Sequence, residues 1–340
     1  MLERSQLDSR IKNECTDTDS VPNQARTLRL VPTSCEPQQH NAARSTQETA
    51  RRADVIEGRF ESQAGALDYI LHAPACRSGA EMSLVVMLHG AGQDPADFAA
   101  GTLMHAHAAA EDTWVLYPGQ SRDVPLRCWT WFGQYDQARG QGEPALLASL
   151  TRWIVAEHGI SPRRVYAAGL SAGAAMAVVL GQTYPDLYAA IGSHSGLPYA
   201  AATDVFAALD VMARGPADRQ LPHAGGARVP TIVFHGDADR TVHLGNANAI
   251  VAAVINGTSI AGRPVTTRRA ANGGRRSHTT TTYRDSRDRD CVEQWIVHEA
   301  GHAWSGGSAE GSHTDPAGPD ATGAMLRFFR SHELAPRCAG

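Results

Sequence analysis

The sequence predicts a three-layer α/β fold with a mostly parallel central sheet. Short apolar runs that end in glycine or at a turn alternate with helical patterns, as in repeated β–α units. These runs are continuously apolar, which is typical of strands buried on both faces of a parallel sheet. The 340-residue length, with 42% hydrophobic and 19% charged residues, suits one large globular domain of this kind.

The first half of the chain predicts three strands and a helix. The segment "LDYILHAP" is a strand that ends at Pro74, and "LVVMLHG" (84–90) and "TWVLYPG" (113–119) are buried strands that each end in glycine. In "PALLASLTRWIVAEHG" (144–159), apolar residues recur at helical spacing and the final glycine ends the helix.

The second half continues the alternation. The segment "RVYAAG" is a short strand, followed by a helix from Ser171 to about Thr183. The segments "AAIGSHSG" and "PTIVFHGDAD" are strand-plus-turn units, and "TTTTYRD" with "CVEQWIVH" predicts a hairpin around "SRDR". The segment "PDATGAMLRFFRSHEL" predicts a closing amphipathic helix, with Asp320 and Thr322 near its start.

The composition changes near residue 55. Residues 1–55 contain no Phe, Tyr or Trp and are rich in polar residues, which predicts a disordered or loosely packed tail. A targeting or partner-binding arm is the alternative for this tail. Residues 56–335 are predicted to form the folded domain.

Charge and cysteine usage exclude several classes of protein. The net charge of −4 gives no indication of a nucleic-acid or anionic-membrane partner, and no apolar run is long enough to span a bilayer. The first residues lack the apolar core of a signal peptide, so we expect a cytoplasmic location and reduced thiols for the six cysteines. An extracellular location is the alternative, and the sequence leaves the oligomeric state open.

The sequence predicts neither a metal ion nor a cofactor. The cysteines have no zinc-type spacing, and Lys12, in the tail, is the only lysine. The folded region therefore offers no lysine for a phosphate-binding loop, a Schiff base or a Ser–Lys pair.

The segment "GLSAG" predicts a catalytic serine. Ser171 lies between a predicted strand and a predicted helix, and Gly169 and Gly173 permit the tight turn that exposes a nucleophile. An aspartate and a histidine follow in the chain order that α/β-hydrolases use for their triad. With 32 glycines in the chain a chance match is conceivable, but the strand before Ser171 and the helix after it supply the expected context.

The partners of Ser171 are predicted from the ends of later strands. His302, between glycines in "GHAWSGG", is the candidate general base. The acid that orients it is Asp237 or Asp239. Asp239 is preferred because the Gly236 turn leaves room for it to point inward, whereas Asp237 is expected to stabilise the turn.

The oxyanion of the tetrahedral intermediate needs two backbone N–H donors. Ala172 follows the nucleophile and Ala91 lies in the glycine-rich loop after the "LVVMLHG" strand, so these two residues are the predicted donors. His89 and His235 each precede a turn glycine and are expected to shape loops.

Two further motifs have competing interpretations. The segment "HEAGH" (298–302) matches the HExxH zinc motif, but its glycine and the preceding strand pattern argue against the helix that the motif needs. The aromatic residues in "CWTWF" and "HAWSGG" either pack in the core or line a substrate pocket. We take Trp129, Trp131 and Trp304 as candidate pocket residues.

Several segments resemble the poly(3-hydroxybutyrate) depolymerase-type esterase family, whose relatives include feruloyl and acetylxylan esterases. They span about residues 56–333: "MLHGAGQ", "LYPGQ", "CWTWF", "GLSAG", "HSGLPY", "FHGDADRTV", "GHAWSGGS" and "TDPAGPDAT" followed by "FF". The chain departs from the family pattern at Ala91, where Cys is common, and at Thr130, where Asn is common.

The resemblance implies an α/β-hydrolase fold and a cofactor-independent serine esterase or depolymerase. It supports Ser171, Asp239 and His302 as the triad and Ala91 with Ala172 as the oxyanion hole. The expected substrates are hydroxyalkanoate oligomers, amorphous polymer and short-chain esters. A feruloyl or acetylxylan-type esterase is the alternative, and a non-catalytic binding protein on the same fold is a more remote one.

Overall fold

The computed structural model describes residues 55–75, 82–217 and 228–336. Within these ranges the strands are β1 (Val55–Ser62), β2 (Gly65–His72), β3 (Ser83–Leu88), β4 (Thr113–Gly119), β5 (Val165–Leu170), β6 (Ala190–His194), β7 (Thr231–Gly236), β8 (Val265–Arg269), β9 (His278–Arg284), β10 (Asp290–Val297), β11 (Trp304–Ser305) and β12 (Thr314–Asp315). The helices are α1 (Pro95–Thr102), α2 (Met104–Ala108), α3 (Gly142–Glu157), α4 (Ala172–Thr183), α5 (Val205–Arg214), α6 (Gly245–Ile255) and α7 (Ala321–Arg330).

One sheet organises the described part of the chain. Its strand order is β1-β2-β4-β3-β5-β6-β7-β10-β9-β8, and β11 pairs with β12 in a separate two-stranded unit. The central strands, from β4 to β10, run parallel, whereas β1, β2, β9 and β8 pair antiparallel at the two margins. The carboxyl ends of the central strands therefore meet at one edge, where ligands bind in open parallel sheets.

Helices cover both faces of the sheet. Helices α3, α4 and α6 pack on one face of the sheet, and α1, α2 and α7 pack on the other. On each face, the apolar side chains of the helices and of the sheet form one hydrophobic cluster. Strands β3, β4, β5 and β7 are buried along their whole length, as their continuous apolar runs predict. The predicted three-layer α/β architecture is confirmed.

The strands and helices predicted from the sequence lie close to the observed ones. The hairpin around "SRDR" forms between β9 and β10, and the Asp320 side chain caps α7 by accepting a hydrogen bond from the Gly323 N–H. The sequence patterns do not indicate β1, β8, β11, β12, α1, α2, α5 or α6.

Some sequence predictions concern residues that the structure describes only in part. The predicted tail, residues 1–55, lies outside the described residues except for Val55, which begins β1. Cys128 and Cys291 are the cysteines within the described ranges, and both are free thiols. Among the helices of those ranges, none is long and apolar enough to cross a bilayer.

Candidate active site

Ser171 occupies a strained turn between β5 and α4. Its backbone has φ 56° and ψ −119°, a conformation that side-chain-bearing residues rarely adopt. A Cβ atom at Gly169 would lie 2.5 Å from the Leu88 carbonyl oxygen, and one at Gly173 would overlap that same oxygen. Both glycines are therefore required by close backbone approach, as the sequence motif indicates.

Asp239 and His302 form a hydrogen-bonded pair beyond the ends of β7 and β10. His302 Nδ1 lies 2.7 Å from Asp239 Oδ2, and the Asp239 side chain is fully buried. Burial opposes ionisation of this carboxyl, but the hydrogen bond and charge of His302 and the Val242 N–H hold its pKa below the ordinary value. An ionised Asp239 fixes the proton of His302 on Nδ1, which leaves Nε2 as the basic nitrogen.

Asp237 forms a second pair, with His298. His298 Nδ1 lies 2.7 Å from Asp237 Oδ2, and Asp237 Oδ1 accepts a hydrogen bond of 2.6 Å from the Glu299 N–H. Both side chains are partly exposed, at 23% for His298 and 33% for Asp237. Asp237 thus holds the turn after β10, whereas the more deeply buried aspartate contacts His302.

The "HEAGH" segment does not form the helix that a zinc motif needs. Glu299 has φ 61°, and the two histidines of the segment bond to different aspartates. Across the part of the chain that the structure describes, no group of three or more His, Cys, Asp and Glu side chains has an arrangement suited to a metal ion.

The loop after β3 lies against the Ser171 turn. A Cβ atom at Gly90 would be 3.7 Å from Ser171 Cβ, so the backbone beside Ala91 is close to the serine. Ala172 is the first residue of α4, where backbone N–H groups have no acceptor within the helix. The structure thus places the loop that carries Ala91 against the Ser171 turn, and Ala172 directly follows Ser171 at the start of α4.

His89 and His235 hold loops at the same edge. The completely buried His89 accepts a hydrogen bond from the Gln120 N–H at Nε2, and its Nδ1 lies 2.9 Å from the Gly90 carbonyl oxygen. His235 Nε2 lies 2.8 Å from the Val242 carbonyl oxygen, and burial lowers the pKa of this imidazole.

The three candidate pocket tryptophans lie in the hydrophobic core. Trp129 and Trp304 are 0% exposed and Trp131 is 3% exposed. The Trp304 indole packs against Phe98 and His194. These exposures favour the core-packing interpretation of the three indoles over the pocket interpretation. The two segments that carry these residues do not form long strands or helices, but tertiary packing covers the rings.

A buried polar cluster behind "CWTWF" was not identified from the sequence. Glu143, in the first turn of α3, accepts hydrogen bonds from Gln120 Nε2 and from the Thr130 N–H. Its own N–H and the Thr130 hydroxyl bond to Asp136. Burial raises the pKa of Glu143 to about 7. Thr130, one of the departures from the family pattern, thus serves as an anchor of this loop.

The sheet order and the strained strand–helix turn at Ser171 define the chain as an α/β-hydrolase-fold protein. Among solved structures, an acetyl xylan esterase from Aspergillus awamori superposes with a TM-score of 0.61 at 17% identity, covering 78% of this chain and 94% of that one. The sequence model of the family described as esterase PHB depolymerase matches residues 67–277. The chain belongs to this family.

Curated relatives include both expected kinds of esterase. Poly(3-hydroxyalkanoate) depolymerase C of Paucimonas lemoignei is 34% identical over 203 residues, which are 56% of this chain and 49% of that protein. Feruloyl esterase B of Talaromyces funiculosus is 25% identical over 168 residues, covering 49% and 47% respectively. The chain thus spans about half the length of these relatives.

Proposed function

We propose that this chain is a serine carboxylic-ester hydrolase that cleaves hydroxyalkanoate oligomers, amorphous polymer and short-chain esters. The observation that carries the proposal is the buried 2.7 Å contact between Asp239 and His302 at the sheet edge where Ser171 sits in its strained turn. Membership of the esterase PHB depolymerase family and the 34% identity to a poly(3-hydroxyalkanoate) depolymerase support this substrate class.

The proposed reaction has two steps. Ser171 Oγ attacks the ester carbonyl carbon while His302 Nε2 takes the hydroxyl proton, and the carbonyl oxygen becomes an oxyanion bound by the Ala91 and Ala172 N–H groups. Collapse of this intermediate expels the alcohol, which receives the proton from His302, and leaves an acyl ester on Ser171. Water then attacks the acyl ester by the same route and releases the carboxylic acid.

Asp239 acts through His302 rather than on the substrate. Its ionised carboxylate holds the Nδ1–H of the imidazole and stabilises the imidazolium that forms during each proton transfer. The Thr241 and Val242 N–H groups donate hydrogen bonds of 2.8 and 2.9 Å to Asp239 Oδ1, so the carboxylate has a fixed orientation before substrate binds.

The test is hydrolysis of matched esters by wild type and Ser171→Ala. We expect wild type to cleave soluble hydroxybutyrate oligomers and short-chain esters, and Ser171→Ala to lose nearly all of this activity while keeping its thermal midpoint. A serine-directed phosphonate is expected to label wild type at Ser171, and EDTA to leave the activity unchanged. Loss of activity with EDTA that zinc restores would overturn the serine mechanism.

A feruloyl or acetylxylan-type esterase is the second candidate. The matches to feruloyl esterase B proteins and to acetylxylan esterase A of Aspergillus ficuum, at 28% identity over 148 residues, favour it. Measurements of kcat/KM for hydroxybutyrate, feruloyl and acetyl esters separate the two candidates. A wild-type preference for feruloyl or acetylated-sugar esters would replace the hydroxyalkanoate assignment.

A further inference from the structure

The loop that carries Ala91 is a closed four-residue turn, Gly90 to Gln93. The Gln93 N–H donates a 3.2 Å hydrogen bond to the Gly90 carbonyl oxygen, which closes the turn along the backbone. Gly92, at the third position, has φ 86°, as a type II turn requires. Ala91 is therefore one of the two central residues of a turn with a defined geometry.

The side chain of Gln93 closes the same turn a second time. Its Oε1 accepts a 3.0 Å hydrogen bond from the Gly90 N–H, and the residue is only 2% exposed. The Gly90 carbonyl oxygen is also held, since His89 Nδ1 lies 2.9 Å from it. Because the peptide bond is planar and trans, fixing the Gly90 carbonyl fixes the direction of the Ala91 N–H on the opposite side of that peptide.

The far end of the Gln93 side chain is anchored to a distant segment. Its Nε2 donates to Asp97 Oδ2 at 2.8 Å and to the carbonyl and hydroxyl oxygens of Ser312 at 3.2 Å. Asp97 in turn accepts hydrogen bonds from the Ser312 N–H and hydroxyl, at 2.8 and 2.5 Å. Although burial opposes ionisation, these donors hold the pKa of Asp97 below its ordinary value.

The segment that follows Ser312 pairs with the residues directly after His302. The next residue, His313, accepts a backbone hydrogen bond of 2.7 Å from Trp304, and β12 pairs with β11 directly after the loop that carries His302. One buried glutamine therefore joins the turn beside Ser171 to the segment that pairs with Trp304 and Ser305, directly after His302. Every side-chain polar atom of Gln93 is used in this bridge.

We propose that Gln93 is a positioning residue that aims the Ala91 N–H at the oxyanion and sets its place relative to His302. The inference rests on the proposed esterase function. Misaligning an oxyanion donor weakens binding of the transition state more than binding of the ester itself, so its effect falls on kcat rather than on KM.

The first test is Gln93→Leu, which keeps the volume and removes both ends of the bridge. We expect kcat to fall about tenfold to a hundredfold, somewhat less than the loss on removing a donor outright, with KM within about twofold of wild type. Gln182→Leu, the same substitution near the far end of α4, is the matched control and is expected to keep wild-type kinetics. Unchanged kcat in folded Gln93→Leu would overturn the proposal.

Inhibition by a trifluoromethyl ketone distinguishes a positioning role of Gln93 from a purely structural one. Ser171 Oγ adds to the ketone carbonyl while His302 Nε2 takes the hydroxyl proton, and the carbonyl oxygen becomes an oxyanion, whereas the corresponding secondary alcohol binds without reacting and without an oxyanion. We expect Gln93→Leu to weaken inhibition by the ketone in proportion to its loss of kcat/KM, with inhibition by the alcohol unchanged. Equal weakening of both inhibitors would indicate a general disturbance of the site and contradict the proposal.

The variant Gln93→Glu tests the bridge without removing the acceptor for Gly90. The ionised carboxylate would face the Asp97 carboxylate and repel it, whereas the protonated form restores a donor. The ratio of variant to wild-type kcat is therefore expected to rise as the pH falls, and a constant ratio would count against the bridge. This ratio decides the matter if Gln93→Leu does not fold. Absence of ester hydrolysis in wild type would instead refute the proposed function.

Discussion

His194 Nε2 accepts a 3.0 Å hydrogen bond from the backbone N–H of Ser305, three residues after His302. The imidazole is 1% exposed and lies against the rings of Phe234 and Trp304. Its own carbonyl oxygen accepts a 2.9 Å hydrogen bond from the Ser171 N–H. One buried residue thus contacts both the Ser171 turn and the segment after His302.

The first prediction concerns acid stability. Burial, together with the neighbouring histidines, lowers the pKa of His194 from 6.5 to about 3. Between these values the unfolded chain binds a proton that the folded chain excludes. This residue therefore contributes stability above pH 6.5 that is lost as the pH falls, by at most about 1.4 kcal/mol per pH unit.

Urea unfolding of wild type and His194→Gln between pH 4 and pH 8 measures this contribution. We expect His194→Gln to have the lower free energy of unfolding at pH 7. The difference in this free energy between the two proteins is expected to narrow below pH 6.5. His313→Gln, at an exposed histidine, is the control for the substitution itself. A difference that stays constant with pH would show that His194 does not carry the effect.

The second prediction concerns Glu143, whose effect on the pH dependence of stability is expected to be opposite to that of His194. Its pKa is raised from 4.5 to about 7, chiefly by burial, so between these values the folded chain holds a proton that the unfolded chain has released. Its contribution to stability therefore falls as the pH rises through this interval. We expect Glu143→Gln, which carries no titrating group there, to gain stability relative to wild type from pH 5 to pH 7. Glu157→Gln, at the exposed far end of α3, is the control, and a flat difference would contradict the prediction.

The features of the fold and of the candidate site that could be predicted from the sequence depend on residues that are close together in the chain. The strand before Ser171, the helix after it and the two glycines specify the turn locally, so both the fold class and this turn follow from short segments. The bond from Gln93 to Ser312 joins residues 219 positions apart, and that from His194 to Ser305 joins residues 111 apart. No local pattern encodes such contacts, because they exist only once the strands are in register.

The solvent exposure of the Trp304 side chain could not be predicted from the local sequence either. Trp304 was a candidate pocket residue because its segment is rich in glycine, but β11 pairs with β12 there and the indole packs among residues of α1 and α7. Its Nε1 donates a 3.0 Å hydrogen bond to the Thr322 hydroxyl, which completes the burial of its polar group.

Trp304→Ala is therefore expected to destabilise the core rather than to change substrate choice. Removal of a buried tryptophan costs about 3–5 kcal/mol of folding free energy, because a cavity remains among the surrounding side chains. We expect a large drop in thermal midpoint and, for protein that remains folded, an unchanged ratio of kcat/KM for hydroxybutyrate and feruloyl esters. Trp304→Phe, which fills more of the space, is expected to lose less stability. If Trp304→Ala has normal stability but a changed ratio of kcat/KM for the two esters, Trp304 lines the substrate pocket and this prediction is wrong.

The last prediction separates the two aspartates. Asp239 is buried and bonded to His302, whereas Asp237 is partly exposed and bonded to His298. Asp239→Asn keeps the shape but favours the wrong tautomer of His302, so we expect kcat to fall by a factor of about 10⁴ with little change in thermal midpoint. Asp237→Asn is the matched control, and it is expected to keep most of the activity because its hydrogen bonds, to His298 and to the Glu299 N–H, hold only the turn after β10. The measurement is kcat on a short-chain ester for both variants. Severe loss in Asp237→Asn with a normal Asp239→Asn would reassign the acid to Asp237.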